Sequence, residues 1–139
     1  MNNTKILTPY EQAFSQCIDD LYHTAYLVLA DEDAAEKLVT EICAAGVHKY
    51  DRLEDRAELR FRLSSDLYRL LKRRLWFISP NTDPLPEQLQ SLTKHERLIA
   101  AMHYSSGLSE IESARILGMK ADRYRRKISE IVRKIPLSV

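Results

Sequence analysis

A chain of 139 residues has room for one ordinary domain or two very small helical ones. With three glycines and five prolines it lacks the turn formers that many short strands need, so composition favours an all-α protein. The net charge is only +1, but residues 1–50 hold three lysines against eight acids, whereas residues 120–134 hold seven Lys/Arg against two acids. That asymmetry points to an acidic, protein-contacting end and a basic end suited to nucleic acid.

Helix signals follow one another along the chain. Thr8-Pro9-Tyr10-Glu11 reads as a capping start, and Phe14, Cys17, Ile18, Leu21, Ala25 and Val28 recur as one helical face. The acidic run Asp31-Glu32-Asp33 suits the positive end of the next helix dipole. Behind it, Ala35, Leu38, Val39, Ile42, Cys43 and Val47 form a second apolar stripe. A third helix is predicted from about Asp55 to Phe77. Leu59, Leu63, Leu67, Leu70, Leu71 and Leu75 face inward, with basic residues between them.

Residues 79–86 carry three prolines and read as a linker. The chain therefore divides into a helical unit at 8–78, the linker at 79–86 and a second unit at 87–136. An apolar piece, Leu85, Leu89 and Leu92, runs from the linker to the capping box Thr93-Lys94-His95-Glu96, and Gly107 is placed to stop that helix. Ser109-Glu110-Ile111-Glu112 is another capping box, opening a short helix that ends at Leu117-Gly118. A last helix runs from about Ala121 to Ile135, held to its neighbours by Ile128, Ile131, Val132 and Ile135 and ended by Pro136. Two helices joined by a tight glycine turn, the second one basic, form a helix-turn-helix between Ser109 and Lys134.

The first turns of that last helix carry Lys120, Arg123, Arg125, Arg126 and Lys127, where a recognition helix meets the major groove. Arginine can donate two bonds to guanine, and the remaining cations neutralise phosphates. Tyr124, among them, has two options: packing inward, or stacking against sugar and base.

Other chemistries find little support. The three glycines build no phosphate-cradling loop, and no nucleophile–base or paired-carboxylate arrangement stands out, so no enzyme and no small-molecule substrate is expected. Cys17 and Cys43 read as reduced core thiols, and no His lies at ligand spacing from them, so neither metal nor cofactor is expected. Met-Asn-Asn-Thr-Lys lacks the apolar segment of a signal peptide, and no stretch approaches the roughly 18 apolar residues of a membrane span. The expected location is the cytoplasm, without membrane insertion.

The residues resemble a known family, the bacterial RNA polymerase sigma factors of the extracytoplasmic-function type. Leu92-Thr93-Lys94-His95-Glu96-Arg97 is similar to the family's Leu-Pro-x-x-x-Arg opening. Gly107-Leu108-Ser109 with Glu112, Ala114, Leu117 and Gly118 resembles its Gly-Leu-Ser…Glu-Ile-Ala…Leu-Gly core. Arg123-Tyr124-Arg125-Arg126-Lys127-Ile128 stands where the family has Thr-Val-Lys-Ser-Arg-Leu. Towards the N-terminus, Leu21-Tyr22 through Ala25-Tyr26 and Leu29 is similar to Leu-Tyr-x-x-Ala-Tyr-x-Leu, and Ala35-Glu36 with Leu38-Val39-Thr40-Glu41 to Ala-Glu-Asp-Leu-Val-Gln-Glu. Leu59 to Arg74 lines up on the family's Trp-Leu-Tyr-Arg-Ile-Ala-Arg-Asn-Leu…Arg-Arg helix.

The resemblance implies a partner and a role for each segment. Glu36, Leu38, Val39, Thr40 and Glu41 would dock on core RNA polymerase. Arg62, Asp66, Arg69, Lys72 and Arg73 would meet a downstream promoter element, and the last helix, from Lys120 to Lys127 with Tyr124, an upstream one. An anti-sigma protein becomes a candidate partner. Departures accompany the match: Thr40 stands for Gln, Leu59 for Trp and Asp66 for Asn. Ser113 takes the place of a buried Ile, with Ile111 as its substitute. Two other functions compete: a sigma-like protein that binds polymerase or a partner without initiating alone, and a helix-turn-helix repressor. The repressor would have to dimerise on a palindrome, and no spare apolar helix is present for that.

Overall fold

A computed structural model describes residues 9–50, 53, 55–77 and 91–135. Among these there are six α-helices and no strand: α1 Pro9–Leu29, α2 Glu32–Lys49, α3 Arg56–Phe77, α4 Lys94–Ser105, α5 Glu110–Leu117 and α6 Ala121–Lys134. No helix is long and apolar enough to cross a membrane. Thr8, the proline-rich segment 79–86 with Leu85, Leu89, the Leu75 side chain and Pro136 lie outside the described residues.

Local chemistry explains the helix ends. Ala30 adopts a left-handed φ of 53°, and Asp31 then accepts from Ala34 N–H, so the chain leaves α1 and enters α2 within two residues. Thr93 with Glu96 and Ser109 with Glu112 each form a complete capping box, starting α4 and α5. Gly107 and Gly118 end them with φ of 74° and 69°.

Two hydrophobic clusters hold the helices. The first joins α1, α2 and α3 through residues such as Leu21, Val28, Leu38, Leu63 and Leu67, and it also takes Leu98 and Ala101 from α4. The second joins the other face of α4 to α5 and α6 through Ile99, Ala100, Ala114, Tyr124 and Ile131. Seven residues expected inward turn out less buried. Ile18, Val47 and Val132 are exposed, and Cys43, Leu70, Ile128 and Ile135 are half-buried at the margins of the two clusters.

Helix α4 is therefore shared, and polar contacts reinforce its seat. The Thr24 and Ser105 hydroxyls lie 2.8 Å apart, with Thr24 only 1% exposed. Arg60 Nη1 donates both to Asp20 and to the Ser106 carbonyl, and the Arg115 guanidinium lies 4.9 Å from the centre of the Phe61 ring. A Cβ at Gly107 would approach Arg60 Nη1 to 2.7 Å and Asp20 Oδ2 to 3.0 Å, whereas one at Gly118 would meet open space. The two glycines share a backbone conformation but not surroundings. Gly118→Ala is expected to cost about 1 kcal/mol, the strain of a left-handed alanine, and Gly107→Ala about 2 kcal/mol by also displacing Arg60. Urea unfolding of the two variants measures the difference.

Candidate nucleic-acid interface

The helix-turn-helix consists of α5, the Gly118 turn and α6, and three contacts fix α6 in place. Tyr124 is 0% exposed, and its hydroxyl lies 2.8 Å from His103 Nδ1 on α4. Burial is the main effect that pushes the Tyr124 hydroxyl above its ordinary range, and a hydrogen bond with Ser113 acts the other way. At the far end, Lys134 Nζ donates to Glu96 Oε2 at 2.7 Å, and that bond is the main reason the Glu96 carboxyl lies below the usual carboxylate range. Ser91 Oγ donates to the Lys134 carbonyl.

The inward face being taken, the cations point out. Lys120, Arg123, Arg125 and Arg126 are exposed and Lys127 is half-buried. Arg125 pairs with Glu110 at 3.0 Å and Lys127 with Glu130 at 3.6 Å. Lys120, Arg123 and Arg126 have no ion-pair partner among the described residues. No side chain caps the start of α6, so its first N–H groups stay open to an anionic oxygen. Of the predicted upstream residues, Tyr124 is the exception: it takes the inward option and cannot stack on a base from a fully buried position.

Ser113 resolves in the same place. It is 1% exposed, whereas Ile111 is 66% exposed, so Ile111 does not substitute for the missing apolar residue. Tyr124 does. Its fully buried side chain hydrogen-bonds with the buried Ser113, so a large and a small residue share one contact.

On α3 the predicted downstream residues divide. Arg62, Arg69, Lys72 and Arg73 are exposed; Arg62 pairs with Glu58 at 2.9 Å, one turn away. Asp66 instead is buried against α2. The Tyr50 hydroxyl donates to its Oδ2 at 2.8 Å, with Lys49 and Arg69 each at 3.5 Å. Burial, and after it the Asp66 bond, pushes the Tyr50 hydroxyl up to about 12, which keeps it a donor. The carboxylate that the family resemblance would place towards DNA is thus turned inward and compensated. A cleft of about 230 Å³ opens beside it between α2 and α3, with Ile42, Ala45 and Leu70 among its walls and Lys49, Arg69 and Arg73 among its polar lining.

The predicted polymerase-docking residues separate as well. Leu38 and Val39 are 0% and 4% exposed in the first cluster, because they belong to the stripe that packs α2 on α1 and α3. They offer a partner nothing. Glu36, Thr40 and Glu41 are exposed, and Glu41 pairs with Arg74 at 3.2 Å.

Three residues that matter to these sites carry no sequence signal: His103, Tyr50 and Glu110. Each meets a partner distant in the chain, at separations of 21, 16 and 15 residues. Among the described residues no group of three His, Cys, Asp or Glu could hold a metal ion. Comparison with protein-family models, curated proteins and solved structures finds no match to this chain.

Proposed function

We propose that this chain is a DNA-binding transcription protein that reads duplex DNA through α6 and serves as a sigma-type initiation factor for core RNA polymerase. The observation that carries the DNA-binding half is the state of Lys120, Arg123 and Arg126: exposed, without ion-pair partners among the described residues, on a helix anchored by a buried tyrosine. Unpaired guanidiniums at the start of a rigid helix suit phosphates and guanine edges. The initiation half rests on the sequence resemblance. Exposed Glu36, Thr40 and Glu41 on α2 would face the polymerase, and Arg69 and Arg73 on α3 the downstream element. In this reading the protein works in the cytoplasm as two helical units joined through 79–86, without catalysis of its own.

A second function, binding polymerase or a partner without initiating alone, is favoured by Asp66. Its bonds to Tyr50 and Arg69 occupy the middle of the helix that would open DNA.

Transcription reconstituted with core polymerase separates the two: specific initiation supports the first, and core binding without open complexes supports the second. For the DNA half, a target is selected from randomised duplexes with the full chain. Arg123→Ala with Arg126→Ala is expected to weaken binding to it roughly 100-fold and to flatten its salt dependence. Unchanged affinity would remove α6 as the reader.

A further inference from the structure

Arg125 differs from the other cations of α6 in having a carboxylate partner on the preceding helix. Its Nε donates to Glu110 Oε2 at 3.0 Å. Both ends of this pair start from well-fixed backbone. Glu110 is the first residue of α5, directly after Ser109 of the capping box, and Arg125 follows Tyr124, which is fully buried and bonded to His103. The side chains themselves are 64% and 49% exposed, so the pair adds little to folding and calls for another role.

The chemistry of the fork suggests one. A guanidinium carries five N–H donors in a plane, and a carboxylate on Nε leaves donors on both terminal nitrogens unused. Two parallel N–H groups on a held arginine match O6 and N7 of guanine. An arginine already oriented also loses less side-chain freedom on binding than a free one. We propose that Arg125 is a specificity-determining residue for a single guanine and that Glu110 is the positioning residue that presents it, an assignment resting on the DNA-binding reading of α6. Lys120, Arg123 and Arg126, lacking such a brace, supply the less selective share of the contact.

Base preferences of the full chain and its variants, measured on a pool of randomised duplexes, test this. The wild-type protein is expected to show one position with a strong guanine preference. Glu110→Ala should lower that preference roughly tenfold while binding to mixed-sequence duplex stays level or rises, because a negative charge near the phosphates is gone. Arg125→Lys should lose the same position, and Glu110→Gln, which keeps an acceptor oxygen, should recover part of it. A Glu110 that only favours the start of α5 would change thermal unfolding and leave the base preferences alone. An intact guanine position in Glu110→Ala, or its loss without a matching loss in Arg125→Lys, overturns the assignment and leaves DNA binding standing. A wild-type protein with no base preference overturns both.

Discussion

Tyr124→Ala is expected to lower the unfolding free energy by about 4 kcal/mol, the range for truncating a large buried aromatic. The ring is fully buried in the cluster that joins α4, α5 and α6, where Ile99, Ala114 and Ile131 are also nearly inaccessible. Truncation also leaves His103 Nδ1 without its hydroxyl neighbour at 2.8 Å and removes the partner of buried Ser113. Helix α6, the proposed reader of DNA, would then lose its main anchor, so DNA binding should fall with stability. The pairing of a small residue at position 113 with a large one at 124 makes a more discriminating version. Ser113→Ile alone forces extra volume against the ring and should cost about 1–3 kcal/mol. With Tyr124→Val in the same chain, most of that cost should disappear, a coupling that a double-mutant cycle in urea reads directly. Additive losses would show that the two side chains do not share one space.

Some features of this protein can be read from neighbouring residues. The starts of α2, α4 and α5 were legible because Asp31, Thr93 and Ser109 meet their partners within three residues. The all-helical fold followed from composition and apolar periodicity, and Gly107 and Gly118 marked turns that do require positive φ. What failed depends on surroundings. The face an eight-residue helix buries is set by what lies beneath it, and Tyr124 drew Ser113 inward while the more apolar Ile111 stayed outside. The resemblance assigns Leu38 and Val39 to a docking surface, yet the stripe that makes them recognisable is the one that builds the core. The resemblance turns Asp66 towards DNA, whereas its phenol partner, Tyr50, lies just past the end of α2 and 16 residues away in the chain. The seating of α4 on α1 had no local signature either, since Thr24 and Ser105 are 81 residues apart.

That seating bears on function through distance. Helices α3 and α6 each pack against the 12-residue α4, which is about 18 Å long, and packed helices lie about 8–10 Å apart, so the axes of α3 and α6 approach within about 30 Å of each other. Thirty ångströms is about nine base pairs of B-DNA at about 3.4 Å per pair. If α3 and α6 serve promoter elements farther apart than that, as the proposed function has them do, α4 must leave α1 before both can engage. Cysteines at positions 24 and 105 can prevent this, because the native hydroxyls already lie 2.8 Å apart, close to the reach of a disulfide. Burial pushes the native Cys17 and Cys43 thiols above their ordinary range, which disfavours their reactive thiolate forms. Oxidised Thr24→Cys/Ser105→Cys is expected to keep affinity for an isolated upstream element, since the cations of α6 remain exposed in the docked form. Initiation from the full promoter should fall at least roughly tenfold and return on reduction, which corresponds to about 1.4 kcal/mol or more of lost joint contact. Full initiation by the oxidised protein would mean that α3 and α6 act from their docked positions, on a site no longer than the helices themselves can span.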